Sequence, residues 1–268
     1  MKRKTITSLL LLSLITVFAQ EETTTTAATS GDLSDNLDLE AVISVFGESK
    51  DLEDFEKRIN DPANKISNLD LNDDGKVDYL RVVNTTKGNT QTVTVQAVIG
   101  KDQYQDVATI DVEKDEHEKS TVQIIGAPYI YGPGYIITPV YATPPVIVVW
   151  FWGPFFRPWI SPWYWGYYPP FFRPWAPFPP YMYHTSVRVH VNIHNSYHHT
   201  TIRRNHHSPE LHNSMSKNHH RDQHSNNSFK DRNPGMNNRR DLEMNRGGTF
   251  TRSSFPSNFG TRRNGNRR

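Results

Sequence analysis

The most specific chemistry in this chain lies in Asp70-Leu71-Asn72-Asp73-Asp74-Gly75-Lys76-Val77-Asp78. Oxygen side chains fall at positions 1, 3, 5 and 9 of the run, with glycine at position 6. A hard divalent cation takes six to eight oxygens at about 2.4 Å, and the glycine lets the chain turn tightly enough to aim them at one point. Asp70, Asn72, Asp74, Asp78 and the carbonyl of Lys76 therefore form a candidate calcium set. Asn, Asp and Gly are also favoured turn residues, but four ligands in register plus the glycine favour Ca2+. The role expected of the ion is structural: it neutralises three carboxylates that would otherwise splay the turn, with a dissociation constant of about 0.1 to 1 mM.

Two further sets of side chains invite chemistry. Eleven of the twelve histidines lie between His184 and His224. The adjacent pairs His198-His199, His206-His207 and His219-His220 are candidates for weak transition-metal binding. No His-Glu-x-x-His spacing accompanies them, and His190 and His194, on one face of an expected strand, are separated by about 13 Å. The other set is aromatic: all six tryptophans lie between Trp150 and Trp175, and Trp159, Trp163, Trp165 and Trp175 are candidates for stacking on a ligand. Cysteine is absent, as are a Gly-x-Ser-x-Gly elbow and a phosphate-binding glycine loop. No enzyme is expected.

The elements that must position these residues are partly legible. Leu39, Val42, Ile43 and Phe46 make one stripe of a helix opened by Asn36 and closed at Gly47. Leu52, Phe55 and Ile59 make the stripe of a second, capped by Ser49 and stopped at Asn60-Asp61-Pro62. Residues 77–84, 91–99, 107–112 and 121–125 read as strands separated by turn material, and Val93, Val95, Ala97 and Ile99 alternate with Thr92, Thr94 and Gln96 as if one face were packed and one wet. The fold class expected is α+β: two short N-terminal helices packed on an antiparallel sheet of about four strands, over residues 35–127. Residues 128–183 follow as an aromatic, proline-rich extended segment in which Phe-Phe-Arg-Pro-Trp occurs at 155–159 and again at 171–175. Within it, Val146 to Trp152 reads as a buried strand. Residues 184–194 read as a last strand because Val187, Val189, Val191 and Ile193 alternate with polar residues. Residues 195–268 read as a disordered, His/Asn/Arg-rich basic tail, since no period supplies a buried face.

Compartment and partners follow from the ends and the charge. Lys2-Arg3-Lys4, an apolar run from Ile6 to Phe18 and Ala19 before Gln20 read as a signal peptide over 1–19, with a polar linker over 20–34. The protein is expected to be exported: periplasmic, surface-associated or secreted, with no transmembrane span in the mature chain. Residues 20–118 carry 23 acidic and 9 basic side chains and residues 184–268 carry 5 and 15, so the net charge of +2 conceals an acidic front and a basic tail. An exported basic tail suits acidic polysaccharide, lipid headgroups or the chain's own acidic domain, and nucleic acid is not expected. The aromatic segment suits an envelope protein or polysaccharide partner, or self-association.

The nine-residue loop resembles the calcium loops of integrin-type propeller repeats, although no propeller repeat surrounds it. A helical EF-hand would carry glutamate at position 12, which is Arg81 here, and would continue as a helix. The signal ending Val-Phe-Ala-Gln, residues 54–60, the stretch 68–82, Gln105-Asp106-Val107-Ala108 and Tyr164-Trp165-Gly166-Tyr167-Tyr168-Pro169-Pro170 together resemble a group of uncharacterised small exported proteins of Bacteroidota. The resemblance covers residues 37–183 and implies export and calcium without supplying an activity. The leading reading is a non-enzymatic envelope protein with a structural calcium site and an aromatic interaction surface. The alternatives are a carbohydrate- or polyanion-binding module and His-rich transition-metal sequestration.

Overall fold

The computed structural model describes residues 31–246. The expected signal peptide, most of the linker and residues 247–268 of the tail lie outside the described residues. The chain forms an α+β fold on one open antiparallel sheet of six strands in sequential order: β1 (Tyr79–Lys87), β2 (Thr90–Gly100), β3 (Gln103–Lys114), β4 (Ser120–Gly126), β5 (Ile136–Val140) and β6 (Ser196–Thr200). Four of these were expected. The fifth arises inside the aromatic segment and the sixth inside the expected tail.

Helices α1 (Leu39–Glu48) and α2 (Leu52–Ile59) cover one face. Their stripes are buried as read, with Val42, Ile43, Phe46, Leu52, Phe55 and Ile59 at 0% exposure against Val93, Val95 and Ala97 of β2. The caps differ. Asp38, not Asn36, caps α1 by accepting from the N–H groups of Glu40 and Ala41, and Asp51, not Ser49, caps α2 by accepting from Asp54 N–H. Ser49 instead donates to the carbonyl of Val45 as α1 ends. Asn36 belongs to a 3-10 turn, Leu33–Asn36, that precedes α1.

The second face of the sheet is not wet. Thr92, Thr94 and Gln96 are as buried as their apolar neighbours, because the chain beyond residue 200 lies across them. That chain carries α6 (Ser208–Met215), α7 (His219–Gln223), α8 (Phe229–Arg232) and α9 (Arg239–Asn245). It docks mainly through polar groups. Thr92 Oγ1 donates to Ser208 Oγ at 3.0 Å, Gln96 Nε2 to the carbonyl of Met215, and Arg204 N–H to Gln123 Oε1. Arg203 grips Asp111 with two bonds of 2.6 and 2.9 Å. Asp106 accepts from Gln96, Ser216 and Lys217 N–H and lies 2.8 Å from His212 Nε2. The expected disordered tail thus folds as far as residue 246: α6 and α7 cover the sheet, α8 lies against residues 128–131 and α9 is tied to Asp35, and its apolar residues Phe229 and Leu242 are buried singly. At Gly132, with φ +77°, an added Cβ would stand 2.4 Å from the Asn237 carbonyl, so α9 is led in over a site only glycine allows.

Two expected strands are helical. Val146–Trp150 is the short helix α4, led by Pro145, which buries Ile147, Val148 and Phe151 against the core and exposes Val146 and Val149. An unbroken apolar run has no period, and proline at its head suits a helix start. Residues 184–194 are not a strand: α5 (Pro180–Val187) runs into a 3-10 turn at Arg188–His190. The fold uses Tyr183 and Val187, one helical turn apart and buried beside Ala41, while Val189 and Ile193 are left exposed. Tyr183 OH donates to the Ile66 carbonyl at 2.7 Å and accepts from Asp38 N–H at 3.0 Å, which holds α5 to the head of α1. The remaining helix, α3 (Pro128–Tyr131), links β4 to β5. No helix among the described residues is long and apolar enough to cross a membrane.

Candidate functional site

Loop 70–78 folds as a turn closed on itself. Asp70 accepts from Asp74 N–H at 3.1 Å and from Gly75 N–H at 2.9 Å, Asn72 Oδ1 accepts from Asp74 N–H, and Asp74 accepts from Lys76 N–H. Gly75 sits at φ +79° and Asp73 at φ +56°, as a tight turn requires. Asp78 is turned into the domain, where it accepts from Leu71 N–H at 2.7 Å. Burial pushes the Asp78 carboxyl well up, and Asp70, Asp74 and Asp73 add to the rise. Burial also raises Asp70, opposed by the two N–H donors and assisted by Asp74 and Asp73. The acidic groups are therefore close enough to repel, as a cation site needs. The donor set fits calcium only in part: much of its oxygen is spent on backbone N–H groups, and no group of three or more His, Asp or Glu among the described residues is placed to hold a metal ion.

The aromatic segment is neither loose nor wholly a surface. Its anchor is Glu56 of α2, which the sequence does not single out from the charged residues around it. Glu56 is 2% exposed and accepts four hydrogen bonds, from Tyr79 OH (2.8 Å), Val82 N–H (3.1 Å), Trp159 Nε1–H (2.7 Å) and Ser161 OH (2.5 Å). One carboxylate thus joins α2, β1 and the segment. The two Phe-Phe-Arg-Pro-Trp copies fold alike. Arg157 Nη1 donates to the carbonyls of Pro154 and Phe156, and Arg173 Nη1 to those of Pro170 and Phe172. Trp159 then accepts from Asn84 N–H at 2.7 Å and Trp175 from Val77 N–H at 2.8 Å through their main-chain carbonyls. The first copy thereby caps the open side of edge strand β1, where unpaired backbone groups would invite another chain, and the second holds the chain just ahead of it. Phe172, with Tyr168, Trp163 and Trp175, packs on Tyr79 and Val98 to form a second small core.

The stacking candidates consequently separate. Trp159, Trp163 and Trp175 are partly buried and serve packing, whereas Trp165 is 38% exposed between Tyr164 at 51% and Tyr167 at 53%. These three cap a closed turn in which Tyr164 and Tyr167 exchange backbone hydrogen bonds of 3.1 and 2.8 Å around Gly166 at φ +78°. Trp163 and Tyr164 lie 5.3 and 5.2 Å from the Tyr167 ring, so the apex is braced.

The adjacent histidine pairs do not converge. His198 is exposed on β6 while His199 turns inward, 3.3 Å from Glu40. His206 and His207 are exposed ahead of α6. His219 lies against the backbone of Tyr104, and His220 turns beneath Tyr129. Among the described residues, four of the tail's arginines pair with the acidic front of the chain: Arg203 with Asp111, Arg232 with Asp32, and Arg239 and Arg246 with Asp35.

Two clefts remain. One of about 860 Å³ lies between the polar face and the covering chain, lined by Asp106, Thr109, Tyr129, Arg203, His212 and Arg221; its charges are already engaged with Asp111, Asp106 or Asp222. Another, of about 280 Å³, lies beside Asp35, lined by Asp38, Glu40, Tyr135, Arg188 and Arg239. No family model matches the chain, and neither the curated proteins nor the solved structures include a match to it.

Proposed function

We propose that this chain is a non-enzymatic, exported binding protein of the cell envelope, whose α+β body presents the Tyr164–Tyr167 apex to saccharide. The observation that carries this reading is the exposure of Tyr164, Trp165 and Tyr167 together on a closed, braced turn. Flat apolar faces with a polar edge suit the C–H faces and hydroxyls of a sugar, and a rigid turn loses little entropy on binding. Tryptophan fluorescence titration with soluble oligosaccharides, together with pull-down on insoluble polysaccharide, tests it. Saturable binding should weaken at least about tenfold, or about 1.4 kcal/mol, in Trp165→Ala/Tyr167→Ala. Trp159→Ala should instead lower stability. Binding unchanged in the double variant, or absent for every saccharide, would overturn the reading.

Calcium at loop 70–78 belongs to the same proposal, as a clamp that would relieve repulsion among Asp70, Asp74 and Asp78. At 10 mM Ca2+, a site of about 0.1 to 1 mM affinity adds about 1.4 to 2.7 kcal/mol of stability. Thermal unfolding with and without the ion should show this gain, and Asp74→Ala, a change at an exposed side chain, should remove it. A melting temperature indifferent to calcium would leave the turn held by its own hydrogen bonds.

A further inference from the structure

His220 and His224 are one helical turn apart, with His224 N–H donating to the His220 carbonyl at 2.9 Å. Their rings stack with centroids 4.5 Å apart and planes at 30°. Side chains at i and i+4 share a helix face, so this is a pair that the fold brings together where the adjacent pairs are driven apart. His220 is 6% exposed, and its Nδ1 is buried without a hydrogen-bond partner. Such an atom is costly to bury and calls for a cause. Its surroundings are fixed: Tyr129 meets the His220 ring edge-on at 5.5 Å and donates its hydroxyl to the His224 carbonyl at 3.0 Å.

We propose that His220 and His224 form a two-imidazole chelate for a divalent transition metal, Cu2+ before Ni2+ and Zn2+. Imidazole suits these borderline ions, and the order follows their general affinity for nitrogen ligands. It does not suit calcium or magnesium, which take oxygen. A neutral imidazole leaves one ring nitrogen without a proton, and that lone pair is what a metal takes. His224 is exposed, so the stacked pair has one side open to solvent. Two protein ligands leave the remaining positions to water or to a donor from another molecule. The other histidines of the segment are placed elsewhere: His212 is held by Asp106 and His219 by the Tyr104 backbone.

The test is calorimetric titration of the untagged chain with CuCl2, NiCl2 and ZnCl2, with electron paramagnetic resonance of the copper form. One site is expected, tightest for Cu2+ and with two nitrogen ligands. His224→Ala should weaken it at least tenfold and remove one nitrogen from the spectrum, and His224→Gln should do the same should the alanine variant fold poorly. The triple variant His198→Ala/His206→Ala/His207→Ala should bind as the parent does. Unchanged binding in both His224 variants, loss of the site in the triple variant, or no binding at micromolar metal would each overturn the proposal.

Discussion

Glu56→Ala is expected to destabilise the fold by about 4 kcal/mol, because the Val82 N–H and the Trp159 Nε1–H would be buried without an acceptor at about 1 to 3 kcal/mol each. The Tyr79 and Ser161 hydroxyls, which also donate to this carboxylate, can turn elsewhere; the two N–H groups cannot. Urea unfolding followed by tryptophan fluorescence measures the loss, and a red-shifted native spectrum would report Trp159 coming free. Glu56→Gln should cost much less, since its amide oxygen can face the two N–H donors while its NH2 group faces the hydroxyls. The pH dependence has a definite sign. Burial raises the Glu56 carboxyl above its ordinary 4.5, and the bonds from Ser161, Trp159, Tyr79 and Val82 offset this only in part. A carboxyl that holds its proton more tightly when folded costs nothing below 4.5 and removes stability as pH rises from there through the folded value. Glu56→Gln lacks that loss, so its deficit against the parent should shrink between pH 4 and pH 7. A deficit that grew with pH would show the carboxylate to be favoured in the fold after all.

Asp35→Ala should cost about 3 kcal/mol, and its damage should centre on α9. Asp35 is 2% exposed and accepts from Arg239 Nη1 and Arg246 Nη1, with His184 Nε2 at 3.7 Å. Removing it leaves the buried Arg239 guanidinium with Glu243 and Ser34 but without its principal counter-charge, and a buried ion deprived of its partner costs about 3 to 5 kcal/mol. Hydrogen exchange should show loss of protection at 239–245 before the sheet. Here the pH sign reverses. Burial would raise Asp35, but His184, Arg239 and Arg246 outweigh it and hold the carboxyl below its ordinary 3.8. Its contribution is therefore present above 3.8 and lost as pH falls toward the folded value. Acid should free α9 in the parent, and Asp35→Ala should already be free at neutral pH. Protection of α9 in the variant equal to that of the parent would remove Asp35 as the tie.

How much of this was legible depends on what each residue packs against. The stripes of α1 and α2 and the alternation of β2 were readable because apolar side chains there meet an apolar core, and burial then leaves a period in the chain. Loop 70–78 was readable as a turn for the same local reason, since Asn, Asp and Gly set its backbone. Glu56 and Asp35 left no trace, because a carboxylate accepting hydrogen bonds inside the fold has the same letter as one in water. Val187 to Ile193 misled: the alternation is real, but Tyr183 and Val187 fit beside Ala41 as a helix and the other apolar residues gain nothing.

The sequence by itself determined an α+β body, an antiparallel core sheet, the turn at 70–78 and a charge split between an acidic front and a basic tail. Only the tertiary structure decided that the polar face of that sheet is covered by the tail, that three of the four candidate stacking tryptophans serve packing while Trp165 reaches solvent, and that His220 stacks on His224. The physical reason is common to the first two. Hydrogen bonds between residues more than a hundred positions apart, such as Thr92 with Ser208 or Glu56 with Trp159, impose no period on the chain, so they can be found only once the chain has folded.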